Sequence, residues 1–163
     1  MSHAPIREQA IKFGDLQDHL GYVLRRAQME VFSRFAEAMR EVDLTPGQFG
    51  VLVLIDQNPG VRQSAICDAL GIQRSNFVAL LHDLERRGLA LRRAHGSDAR
   101  INALHLTRKG QALLRRANTL HTAYEAQLTQ RLGPAGRETL LTLLRELSGS
   151  PTSKAHNLQL QHE

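Results

Sequence analysis

Between residues 70 and 110 the chain reads LGIQRSNFVALLHDLERRGLALRRAHGSDARINALHLTRKG, and its basic and amide side chains suit hydrogen bonding to a polyanion. Gln73, Arg74, Ser75 and Asn76 fall together at the start of a helical pattern, where the helix dipole favours anions. An arginine guanidinium matches the O6 and N7 edge of guanine, and an asparagine amide matches the N6 and N7 edge of adenine. Arg74 and Asn76 are therefore the expected base readers. Ser75 is either a phosphate donor or simply the helix N-cap. Arg92 and Arg93 alternate on an extended stretch, so only one can point toward a polyanion unless the other reaches round, and the residue types do not choose which.

The charge of the chain supports contact through one region. Formal net charge is +5, but eleven Lys and Arg against four acids give the span from Arg62 to Arg116 a net +7, leaving −2 elsewhere. A basic middle between mildly acidic flanks fits an anionic surface met by that middle alone. The single cysteine, Cys67, excludes an internal disulfide framework, and no CxxC or Cys/His pair offers a structural zinc site. The first fifteen residues carry no apolar signal core, and no stretch approaches the roughly 20 apolar residues of a membrane span. A cytoplasmic location with no membrane contact is the expectation. No Gly-rich phosphate loop, nucleophile elbow or carboxylate pair marks an enzyme.

The elements that must position these residues are mostly helical. Leu16, Leu20, Val23, Leu24, Ala27, Val31, Phe35 and Met39 recur at three- and four-residue steps, which predicts a long amphipathic helix from Asp15, its N-cap, to about Glu41. Such a helix is roughly 40 Å long, more than one small domain covers. Thr45-Pro46 starts a second helix that ends at Asn58-Pro59-Gly60. Helices over 62–70 and 73–87, closed by Gly71 and Gly88, give a helix-turn-helix pattern. Residues 89–93 and 101–106 read as two strands joined by a tip at 95–100. Thr107 caps a helix to about Leu132, Gly133-Pro134 breaks it, and 137–147 is the last helix.

The expected fold is mainly α: a winged helix-turn-helix with a two-stranded β-wing, set in a helical dimerisation domain. Its parts are an N-terminal arm at 1–14, dimerisation segments at 15–43 and 108–148, a DNA-binding segment at 44–107 and a disordered tail at 149–163. The apolar faces of the outer helices favour a symmetric homodimer with two DNA-reading corners.

Leu84-Glu-Arg-Arg-Gly-Leu89, the tip Asp98-Ala-Arg100, Leu106-Thr107-x-x-Gly110 and the helix order together resemble the multiple-antibiotic-resistance regulator (MarR) family of winged-helix transcription factors. The resemblance covers about residues 15–148. It implies a homodimeric repressor on a palindromic double-stranded operator, released by a small ligand or by oxidation. It also implies that Arg100 enters the minor groove while Asp98 holds its guanidinium. Narrow A·T-rich grooves concentrate the negative potential that attracts such an arginine. The chain departs from the family at Val78 and Ala79, where many members carry a hydroxyl residue and then an arginine. Readout is thereby expected to fall on Arg74, Asn76 and the wing. Arg62 replaces a common hydroxyl cap, leaving Gln63 or Ser64 to meet phosphate. Arg86 and Arg87 are expected to be solvated helix-end charges.

For the effector, His19 and Arg26 flank the apolar stripe of the first helix, Tyr22 is one turn from both, and Phe49 lies on the second helix. A His/Arg pair over an apolar floor suits an aromatic carboxylate or an acyl-CoA-like thioester; the alternative is that these residues are polar contacts of a dimer interface. A redox switch at Cys67 is disfavoured, because the residue falls on an inward position with Ile66 and Leu70. A metal-responsive regulator is likewise disfavoured, and no cofactor is expected. A winged-helix protein-interaction module without DNA binding is the competing function.

Overall fold

Apolar residues at helical spacing, interrupted by Thr-Pro, Asn-Pro-Gly and single glycines, divide this chain into short helices around one small sheet. The computed structural model describes residues 11–95 and 98–149, and the side chains of all of these except 94–102. A single 3-10 turn at Leu16–Asp18 precedes α1 (Leu20–Ala38). Then follow α2 (Pro46–Gln57), β1 (Val61–Arg62), α3 (Gln63–Leu70), α4 (Arg74–Arg86), β2 (Ala90–His95), β3 (Asp98–Leu106) and α5 (Arg108–Ser148). The chain divides into two units, Met1–Arg34 and Phe35–Glu163.

In the first unit, α1 starts later than the apolar spacing suggested. Asp15 makes no side-chain cap, and His19 is extended (φ −77°, ψ 123°) with its carbonyl accepting the Val23 amide at 3.0 Å. The short polar turn thus uncouples Asp15 from the helix. At its other end α1 stops at Ala38 rather than Glu41, in a turn that places Asp43 at φ 50°.

In the second unit, α2 begins in a reciprocal capping box. Thr45 Oγ1 accepts the Gln48 amide at 3.3 Å and Gln48 Oε1 accepts the Thr45 amide at 2.9 Å. Both α3 and α4 end at a left-handed glycine, Gly71 (φ 61°) and Gly88 (φ 68°). The amides of Ile72 and Leu89 reach back to the Cys67 and Leu84 carbonyls at 3.1 and 2.8 Å. These are Schellman closures, which turn the chain sharply after each helix. The core between them holds Val51, Leu52, Ile55, Ile66, Phe77, Leu81, Leu84, Leu89 and Leu104.

The sheet has three antiparallel strands in the order β1-β3-β2, one more than the expected two-stranded wing. Val61 pairs with Leu104 and Arg62 with Ala103, while Ala90 to Arg93 run against Leu106 to Ala103. β1 has only two residues, too short to show the alternation by which strands are recognised. It ties the start of α3 to the wing.

α5 is two helical stretches that meet at a kink at Gly133 (φ 70°, ψ 159°), where Pro134 follows, which is the break the sequence predicts. Its first turn packs backbone to backbone. Thr107 Oγ1 accepts the Gly110 amide at 2.9 Å and donates to the Gly88 carbonyl at 2.7 Å. A Cβ on Gly110 would lie 1.9 Å from the Leu89 carbonyl oxygen, so no side chain fits. The Thr107-x-x-Gly110 spacing therefore joins the wing's base to α5. Exposed Leu132, Leu140, Leu143 and Leu147 occupy its later turns, and Leu20, Val23, Leu24, Met29 and Phe32 are exposed on α1.

Candidate nucleic-acid interface

The N-terminal end of α4 is solvent-facing. Gln73, Arg74, Ser75 and Asn76 are all exposed, while Phe77, Leu81 and Leu84 are buried. Gln73, not Ser75, is the N-cap, in an extended conformation with no side-chain cap bond. Ser75 sits inside the first turn, and its cap reading is excluded. The first-turn amides of α4 and the side chains of 73–76 thus share one face-forward end. Arg62 caps α3 by position without a side-chain bond, and Gln63 (half-buried) and Ser64 (exposed) open that helix.

The structure distinguishes the two wing arginines. Arg92 Nε is 3.2 Å from Glu85 Oε1, an ion pair from β2 to α4. Arg93 is exposed and points to the other side of the strand. Asp98 is paired across the hairpin with His95 through the backbone, and a register shift marks the step from Ala94 to His95. The expected contact between the Asp98 and Arg100 side chains lies outside the described side chains.

Arg86 and Arg87 are less alike than expected. Arg86 is exposed and hydrogen-bonded to Asp83. Arg87 is not a solvated charge: its side chain is 20% exposed, donates to the Val42 carbonyl at 3.0 Å and lies 3.5 Å from Asp83. Gln48 completes the network, donating from Nε2 to Asp83 Oδ2 at 2.8 Å. The hydrogen bond from Arg86 holds the Asp83 carboxyl below its ordinary pKa; burial opposes this, and the charges of Arg86 and Arg87 add to the lowering. Through Asp83, α4 is fixed to the start of α2 and to the turn after α1's last residues. This brace was not legible in the sequence.

The effector residues proposed from the sequence fall in different surroundings. His19 Nε2 is 3.5 Å from Asp15, the Tyr22 ring is 6.3 Å from Phe13, and Arg26 is exposed. Phe49 stacks on His121 with ring centroids 4.7 Å apart and 26° between planes. Phe35 meets Phe49 edge-on at 5.8 Å and Tyr124 at 5.7 Å. Glu125 bridges His121 (3.8 Å) and Arg137 (3.1 Å) across the kink of α5. Sequence reasoning missed Phe35, His121 and Tyr124 as a group; the only local sign was His121 one turn ahead of Tyr124 and Glu125. Cys67 is buried. Among the described residues no group of three or more His, Cys, Asp or Glu is placed to hold a metal, and no helix is long and apolar enough to cross a membrane.

A family model described as the MarR family matches residues 42–101. The chain is 36% identical over 135 residues to a putative transcriptional regulatory protein for the hcr operon of Thauera aromatica, covering 82% of this chain and 81% of that one. Among solved structures it is similar to the transcriptional repressor CouR bound to a 23-mer DNA duplex, with 47% identity and a TM-score of 0.79. That match covers 86% of this chain and 99% of the other. CouR bound to p-coumaroyl-CoA matches with 46% identity and a TM-score of 0.80, over 85% and 98% of the two chains.

Proposed function

The chain belongs to the MarR family of winged-helix DNA-binding transcriptional regulators, and from that premise we propose that it is a cytoplasmic homodimeric repressor released from a palindromic operator by an aromatic acyl thioester. The observation that carries the DNA half is the exposed run Gln73-Arg74-Ser75-Asn76 at the start of α4, with Arg93 exposed on the adjoining wing strand. Gln63, Ser64, Ser75 and Arg93 take phosphates, Arg74 and Asn76 take base edges, and the Asp98-Ala-Arg100 tip takes the minor groove. Arg92 belongs to the same surface but shares its charge with Glu85. The segment 44–107 carries DNA binding, and 15–43 with 108–148 carries dimerisation. The exposed leucines and other apolar side chains of α1 and of α5 beyond its kink favour a second copy of the chain.

Two observations support the effector class. A half-buried Phe49–His121 stack with Phe35 and Tyr124 beside it offers aromatic faces for a planar acyl group. The similarity to a repressor bound to p-coumaroyl-CoA points to a thioester rather than a free acid. His19, Tyr22 and Arg26 are effector candidates by residue type alone, as groups that suit an anion. The test is a gel shift of the DNA flanking the coding sequence, titrated with p-coumaroyl-CoA, p-coumarate and coenzyme A. Release by the thioester alone is the expected result. Release by all three equally, or by none, would overturn the effector assignment, and no shift at low salt would overturn operator binding.

A further inference from the structure

Val78 stands out on α4. From residue 35 to residue 131, it is the one large apolar side chain among the described residues that is exposed, at 43%. It lies with Ser75, Ala79 and His82 at steps of three and four, all exposed, on the side of α4 turned away from Phe77 and Leu84. A valine left in water on a face otherwise made of polar and small residues gains by covering its methyls. Ala79 beside it has no side chain long enough to hold the helix off a surface.

We infer that Val78 is a specificity-determining residue that reads a thymine methyl group in the major groove. The C5-methyl is the one apolar feature on the major-groove edge of the base pairs, and it separates thymine from cytosine without a hydrogen bond. Val78 is branched at Cβ, so its methyls are presented in few rotamers and lose little freedom on contact. The inference rests on the reading of α4 as the element that enters operator DNA.

The experiment uses the full chain and a duplex enriched by it from a random-sequence pool. Each thymine in turn is replaced by deoxyuridine, which removes only the methyl, and affinity is read by fluorescence anisotropy. The wild-type protein loses about fourfold at one or more thymines, the value of one methyl group withdrawn from water. Val78→Ala binds the thymine and uracil duplexes alike at those positions, whereas Val78→Thr, which keeps one γ-methyl, retains part of the preference. Absence of any thymine effect on the wild type overturns the inference without need of a variant. An effect undiminished in Val78→Ala overturns it too. Failure to enrich any sequence overturns the reading of α4 as an operator-binding helix, a separate outcome.

Discussion

Arg92 of the wing strand β2 lies 3.2 Å from Glu85 of α4, so of the two adjacent, exposed wing arginines Arg92 is partly neutralised. The two-residue alternation of β structure sends the two side chains to opposite sides of the strand, and only the Arg92 side faces Glu85. The same pair ties the wing strand to α4.

This difference gives a salt-dependence test. Arg93→Ala is expected to lower the slope of log affinity against log salt by about 1, the loss of one phosphate contact. Arg92→Ala should change that slope by less, because part of its charge is already answered by Glu85. A salt series in fluorescence anisotropy measures both. Equal slope changes would remove the distinction.

Arg100→Ala is expected to cost about 1.5–3 kcal/mol of operator binding, the range for a charge-assisted hydrogen bond. The control is Arg40→Ala, an exposed residue 3.8 Å from Glu37, which should stay within about 0.5 kcal/mol of wild type. Arg137 is a poorer control, since it is bound to Glu125 beside the aromatic cluster. Similar losses in both variants would sink the wing-tip assignment.

Asp83 links stability to pH. Its carboxyl is held below the ordinary value, first by the hydrogen bond from Arg86. The folded pKa therefore lies under the unfolded value of about 3.9, and the stabilisation is full above that value and fades as pH falls through the folded one. Asp83→Asn should be less stable by about 1 kcal/mol at pH 7, with the gap closing in acid. Urea midpoints at pH 7 and pH 3 decide it; a gap that stays constant contradicts the account.

Alanine in place of glycine usually stabilises a helix by about 1 kcal/mol. At Gly110 the sign reverses, because the new Cβ would meet the Leu89 carbonyl oxygen at 1.9 Å. Gly110→Ala should lose at least about 2 kcal/mol by overpacking. Thermal denaturation measures it, and an unchanged or raised midpoint would contradict the close approach.

Much of this fold is written in local signals. Thr45-Pro46, Gly71, Gly88 and Gly133-Pro134 each mark a helix boundary, because capping and left-handed backbone need particular residues at particular places. Asp15 misled, since a cap residue before an apolar stripe can equally begin a separate turn. The two residues of β1 carry too little pattern to announce a strand. Arg87 looked like a helix-end charge; its partner, the Val42 carbonyl, is 45 positions away and a backbone group has no sequence signature. The Phe49–His121 stack was hidden for the same reason, being made by two helices far apart in the chain. The exposed polar run at 73–76 was legible as a helix start because a breaking Gly71 and a polar cluster precede the buried Phe77.

The most direct test of base reading by α4 is the specificity ratio of Arg74→Ala. Affinity is measured for the enriched duplex and for a scrambled duplex of the same composition at one salt concentration. A bidentate contact to guanine predicts a loss of about 1–3 kcal/mol on the enriched duplex, with little change on the scrambled one. Equal weakening on both would make Arg74 a phosphate contact and contradict the claim that the start of α4 reads sequence.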